Sequence, residues 1–165
     1  MNKTAVGQLN KLIQLDTDAV LAYQQAIDAC EVSEVRRKLK SFQDDHQQHI
    51  NDLAELVQAS GEEPKIKRDL KGFLIEGFTA LASRGDRSAL LSMLGNEELS
   101  NRLYEAALKT ELPSEARAVV ERNREDEERH LSWIQEAIAT RIWETKEGAA
   151  AVAEDGQGKK DKGAA

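Results

Sequence analysis

Six ionisable residues carry the chemistry this sequence could do. His46 and His49 stand three apart, as do Glu127 and His130, while Asp16 and Glu97 are each followed seven residues later by a tyrosine, Tyr23 or Tyr104. Three residues is nearly one α-helical turn and seven is nearly two, so the members of each set can share a helix face. Taken singly these signals are weak, because an isolated core histidine is usually hydrogen-bonded and inert and a run such as EDEERH is usually solvated. Tyr23 and Tyr104, alone, read as core residues with satisfied hydroxyls.

An internal repeat joins them. DDHQQHI, from Asp44 to Ile50, falls on EDEERHL, from Glu125 to Leu131, at an offset of 81 residues. At the same offset Asp16 falls on Glu97, Tyr23 on Tyr104, Ala26 on Ala107, Ile27 on Leu108 and Leu53 on Ile134. Each half thus reads acid, tyrosine, then a pair ending in histidine on the next helix. Superposed on four helices, the repeat predicts Asp16, His46, His49, Glu97, Glu127 and His130 at one level of an apolar interior. Six such groups are costly there unless something binds them, and two divalent cations would offset that cost.

The elements that must position these residues follow from apolar spacing. A first helix, capped by Thr4, carries Leu9, Leu12, Ile13, Val20, Tyr23 and Ile27. A second, capped by Ser33, runs to about Ala59 through Val35, Leu39, Phe42, Ile50 and Leu53, with Gly61 just past its end. Ile66, Leu70, Phe73, Leu74, Phe78 and Leu81 keep a helical period between Pro64 and Gly85, despite Gly72 and Gly77. A third helix is expected from Asp86 to Thr110, and a fourth, capped by Ser114, to about Glu144. The expected fold class is therefore all-α, a four-helix bundle with one long crossover that holds an extra helical segment between helices 2 and 3. Residues 1–145 are expected to form the bundle and residues 146–165, which contain no large apolar side chain, a solvated disordered tail.

Composition narrows the function. A net charge of −7 argues against a nucleic-acid or anionic-membrane partner, which needs clustered Lys and Arg. Only 4% of residues are aromatic and only two are proline, which leaves strong helix formers dominant. Cys30 is alone, so no intrachain disulfide exists and a packing role is expected. Without a signal-like apolar run the chain reads as cytoplasmic. Trp133, Ile142 and Trp143 lie off the inward stripe and suggest an exposed apolar patch and a homodimer.

With these motifs in view, the chain from Leu9 to Ile138 resembles the ferritin-like superfamily of di-iron carboxylate bundles, bacterioferritin and rubrerythrin among them. The resemblance implies metal ligation by Asp16, His46, His49, Glu97, Glu127 and His130, and support of His49 by Asp126 and of His130 by Asp45. It implies two divalent ions, iron before zinc or manganese, and reaction with O2 or peroxide, with Tyr23 and Tyr104 lining the site. The alternative is a low-turnover bundle whose site holds zinc or one metal as a staple. Asn101 and Asn123 also fall inward and are expected to form helix-to-helix hydrogen bonds. Two departures stand out: Asp16 replaces a glutamate, and His46 replaces the first glutamate of the helix 2 pair. Three carboxylates then leave two divalent ions one positive charge in excess, unless hydroxide, oxide or another anion joins them. Haem is not expected, since Gln47 stands where bacterioferritins carry a methionine, and no short C-terminal helix of the kind that builds storage cages is evident.

Overall fold

A computed structural model describes residues 1–66 and 85–144. The helical segment expected between Pro64 and Gly85 and the tail expected beyond residue 145 lie essentially outside them. Among the described residues there are four long helices: α1 (Lys3–Ala29), α2 (Ser33–Ala59), α3 (Asp86–Leu108) and α4 (Ser114–Ala139), followed by a 3-10 turn at Ile142–Glu144. No strand occurs among the described residues, and no described helix is long and apolar enough to cross a membrane.

Helix α1 packs on α2 and α3, and α4 packs on α3 and α2, so the four form a closed square. Cross-helix contacts give the directions. Asp16 meets Tyr104 while Tyr23 meets Glu97, so α1 and α3 are antiparallel. His49 meets Asp126 while Asp45 meets His130, so α2 and α4 are antiparallel as well. The three-residue link from Cys30 to Val32 turns α2 back along α1. Consequently α2 and α3 run the same way, the arrangement of a one-crossover bundle.

The helix ends show where local reading stops. Asn2, not Thr4, caps α1: its side-chain oxygen accepts from the Ala5 amide at 2.8 Å. Ser33 is the first residue of α2 rather than its cap; Val32 stands before it without a side-chain cap, and the link that leads into the helix is held from another helix. Asp86 of α3 accepts from the Glu31 and Val32 amides, each at 3.1 Å. Gly61, at φ 82°, closes α2 in the left-handed conformation glycine favours. Likewise Pro113 occupies the position before α4 and Ser114 its first turn. That helix stops at Ala139, short of Glu144, because Arg141 adopts φ 53° and breaks the ladder. Arg117 supplies the missing partners at the end of α3, donating to the carbonyls of Leu108 at 3.0 Å and Thr110 at 3.1 Å.

Two apolar layers fill the interior. One holds Ala19, Tyr23, Leu39, Phe42, Leu90, Met93 and Ile134 at the end near the α1–α2 link. The other holds Leu9, Ile13, Leu53, Val57, Tyr104 and Val120 at the opposite end. Between them lies the polar layer. Trp133, Ile142 and Trp143, expected to form an exposed patch, are instead partly buried against the first layer. Trp133 meets Phe42 edge-on at 5.7 Å, so part of its apolar surface packs within the chain. Cys30 is buried in the same layer, and burial beside Asp86 pushes its thiol far above the ordinary range, which leaves it unreactive.

Candidate metal centre

All six candidate ligands are buried: Asp16, His46, Glu97, Glu127 and His130 are fully enclosed and His49 is 2% exposed. Each helix contributes at its midpoint, Asp16 from α1, His46 and His49 from α2, Glu97 from α3, Glu127 and His130 from α4. They converge as two overlapping groups, Asp16–His46–His49–Glu127 and His46–Glu97–Glu127–His130, each with its ligand atoms within 4.8 Å of one another. His46 and Glu127 belong to both.

The first group is the tighter. Asp16 Oδ1 to His46 Nδ1 is 3.0 Å, His46 Nδ1 to Glu127 Oε1 is 3.3 Å, Glu127 Oε1 to His49 Nδ1 is 3.2 Å and His49 Nδ1 to Asp16 Oδ1 is 3.9 Å. In the second, His46 Nε2 lies 3.5 Å from Glu97 Oε1, and His130 Nδ1 lies 3.6 Å from Glu97 Oε2. The atoms facing the two groups largely lack hydrogen-bond partners: His46 Nε2, His49 Nδ1, Glu97 Oε2, both Glu127 oxygens and His130 Nδ1. Buried polar atoms are normally satisfied. Six orphans aimed at two common points are what a cation would satisfy, and the cluster can hold metal ions.

The remaining atoms of these side chains are held from outside. His49 Nε2–H donates to Asp126 at 3.2 Å and His130 Nε2–H donates to Asp45 at 3.0 Å, which turns each Nδ1 inward. Tyr104 donates to Asp16 Oδ2 at 2.6 Å and Tyr23 donates to Glu97 Oε1 at 2.7 Å. Burial and the facing acids raise both phenols well above their ordinary range, so they stay protonated donors. Phe42 covers the His130 ring at 4.1 Å.

The electrostatics follow from crowding. Burial alone would neutralise His46, yet Glu127, Asp16 and Glu97 hold its proton well above the usual imidazole range. Burial likewise opposes charge on His49, but Asp16 and Glu127 raise it to about 10. Burial works against the Asp16 and Glu97 carboxylates too, and neighbouring imidazoles nevertheless lower them. Glu127 is the exception: burial, with Glu97 and Asp16 nearby, lifts its carboxyl. In the metal-free protein, protons on His46 and His49 stand where positive ions would.

Several contributors escaped sequence reading. Arg129 donates to Asp45 at 2.8 Å and also to Asp126, so one half-exposed guanidinium ties together the two acids that hold His130 and His49. Its place between Glu128 and His130, three after Asp126, was a usable signal. Buried Asn96 lies against Glu97 at 3.4 Å, and buried Ser100 has no partner for its hydroxyl; neither has a counterpart at the repeat offset that would have singled it out. Asn101 bonds the carbonyls of Glu97 at 2.9 Å and Glu127 at 3.0 Å, which links α3 to α4. Asn123, expected to do the same, is buried beside the Tyr104 hydroxyl of α3. It stands at the repeat position of Phe42, in the layer beside Glu127.

Fold and site together define an all-α four-helix bundle with a buried His/carboxylate cluster able to hold metal ions. Residues 4–110 match the family described as a domain of unknown function, DUF2383, and the chain belongs to that family. No curated protein and no solved structure matches the chain.

Proposed function

We propose that this protein is a ferritin-like bundle that binds two divalent ions through Asp16, His46, His49, Glu97, Glu127 and His130, with Fe(II) as the native ion and its oxidation by O2 or peroxide as the reaction. One observation carries the reading: six unpartnered, buried ligand atoms from three of the helices face two shared points. An acid from each of α1 and α3 and a pair three apart from each of α2 and α4 also follow the spacing of the di-iron ligand pattern, with Asp16 and His46 in place of two of its glutamates. Three imidazoles favour iron or zinc over manganese.

Bound iron would supply electrons and Lewis acidity. The chain's own work is positional. Asp45 and Asp126 fix the two outer imidazoles, Tyr23 and Tyr104 fix the carboxylates of Glu97 and Asp16, and the apolar layers exclude water. As protonated donors, the tyrosines shape the site by hydrogen bonding rather than by giving up protons.

A second reading, a zinc staple, has its own support. Four contacts among the first group's ligand atoms span 3.0–3.9 Å. A tetrahedral ion with bonds of about 2.0–2.1 Å requires edges of about 3.3–3.4 Å, which these four contacts bracket. Anaerobic loading with Fe(II), metal analysis and then admission of O2 separates the readings. The redox reading expects two iron per chain, oxygen uptake and a ferric absorption band. Tight zinc with no oxygen uptake supports the staple, and a chain that retains neither metal refutes both.

A further inference from the structure

Among the candidate ligands, the two tyrosines and the two supporting aspartates, the halves of the repeat agree in kind except at one place. Acid matches acid at Asp16 and Glu97, and tyrosine, histidine and supporting aspartate match likewise, but His46 stands where the other half has Glu127. Both residues are nevertheless shared by the two ligand groups. Glu127 can serve two ions because a carboxylate has two oxygens, and both are buried without partners. An imidazole can do so only through its two nitrogens, on different edges of the ring.

The ring of His46 is placed for that. Its Nδ1 lies with the first group, 3.0 Å from Asp16 and 3.3 Å from Glu127, while its Nε2 lies with the second, 3.5 Å from Glu97. His49 and His130 each give their outer nitrogen to an aspartate. His46 has no such outside partner, although a ligating histidine almost always gives its second nitrogen to a carboxylate, carbonyl or water. Both of its nitrogens face only residues of the cluster.

We propose that His46 binds both ions, with Nδ1 joining Asp16, His49 and Glu127 around one and Nε2 joining Glu97, His130 and Glu127 around the other. This rests on the two-ion reading above. A ring that ligates through both nitrogens keeps neither proton; both pass to solvent as the ions enter, and the ring becomes an anion. Three carboxylates and that ring carry four negative charges, equal to the charge of two divalent ions. The buried site is then neutral without an added anion, which removes the excess charge that the loss of the fourth carboxylate would otherwise leave.

The spacing of the ions tests this. Two metal–nitrogen bonds of about 2.0–2.1 Å on opposite sides of one ring put the ions ~6 Å apart. Ordinary oxygen-bridged pairs sit about 3.5–4 Å apart. The experiment is to load the full chain with two equivalents of Zn(II) and locate the ions by anomalous diffraction, with X-ray absorption on a Co(II)-loaded sample as a second measure. Two ions at ~6 Å flanking His46 are expected. Two ions at the shorter spacing, with His46 on only one, overturn the bridge and leave the two-ion reading standing. Fewer than two ions overturn both. His46→Glu is expected to keep two ions and shorten their separation to about 4 Å; a separation the same as in the parent also overturns the bridge. Should that variant not fold, the parent measurement decides alone.

Discussion

Metal loading should release protons, and its affinity should rise steeply with pH. In the metal-free protein Glu127, Asp16 and Glu97 keep His46 protonated well above the usual range, and Asp16 and Glu127 raise His49 to about 10. At pH 7 an ion entering the first group must displace a His49 proton held about three pH units more tightly than the solution demands. That costs about 4 kcal/mol, or roughly a thousandfold in affinity. Each displaced proton adds about tenfold per pH unit, so one proton from His49 and the two that a bridging His46 sheds predict a slope near a thousandfold per unit for loading both ions between pH 6.5 and about 10. Stability of the metal-free bundle runs the other way. A histidine with a raised pKa contributes fully below its unfolded value of 6.5, and the contribution fades as pH climbs through about 10. The melting temperature of the metal-free protein should therefore fall between pH 6.5 and 10, while the gain on adding Zn(II) widens. Titration calorimetry in buffers of different ionisation enthalpy counts the protons, and scanning calorimetry from pH 6 to 9 follows the gain. Heats that do not depend on buffer, together with an affinity flat in pH, would refute the idea that protons occupy the cation positions.

Further predictions rest on particular contacts. Asp126→Asn removes the carboxylate that holds His49 and should weaken metal binding about 10- to 100-fold, measured by competition with a chelator, while leaving His130 and Asp45 in place. Arg129→Met frees both supporting acids at once; because the pairs are partly exposed, stability should shift by less than about 1 kcal/mol while metal affinity drops. Glu127→Gln replaces a buried carboxyl with two unpaired oxygens by a neutral isostere, so thermal unfolding should show the metal-free chain as stable as the parent or more so, with two-metal binding lost. Tyr104→Phe strips the hydrogen bond from Asp16 Oδ2 and should cost about 1–3 kcal/mol in denaturant unfolding of the metal-free protein.

Much of the arrangement was legible in the chain because helical spacing and an 81-residue repeat are one-dimensional signals. A residue's face on a helix follows from its position alone, so the common depth of Asp16, His46, His49, Glu97, Glu127 and His130 could be read without coordinates. The repeat also carried cross-pairing: a tyrosine of one half reaches an acid of the other, and an aspartate of one half reaches a histidine of the other. Helix type and approximate bounds were legible for the same reason.

Other features depend on which surfaces meet across the bundle. Asp86 binds amides 54 and 55 residues earlier in the chain, so no window around Ser33 contains the group that anchors the α1–α2 link. Trp133 looked exposed by periodicity, but Phe42 of another helix receives it. Arg129 lay in plain view in the motif, yet its value comes from the closeness of Asp45, 84 residues away. Most of all, sequence placed a histidine at position 46 without saying which way its ring turned. That is a matter of side-chain rotation within a packed layer, where Asp16 on one side and Glu97 on the other decide which nitrogen meets which group. Periodicity determines the face a side chain occupies; only the neighbours supplied by other helices determine how its atoms are aimed.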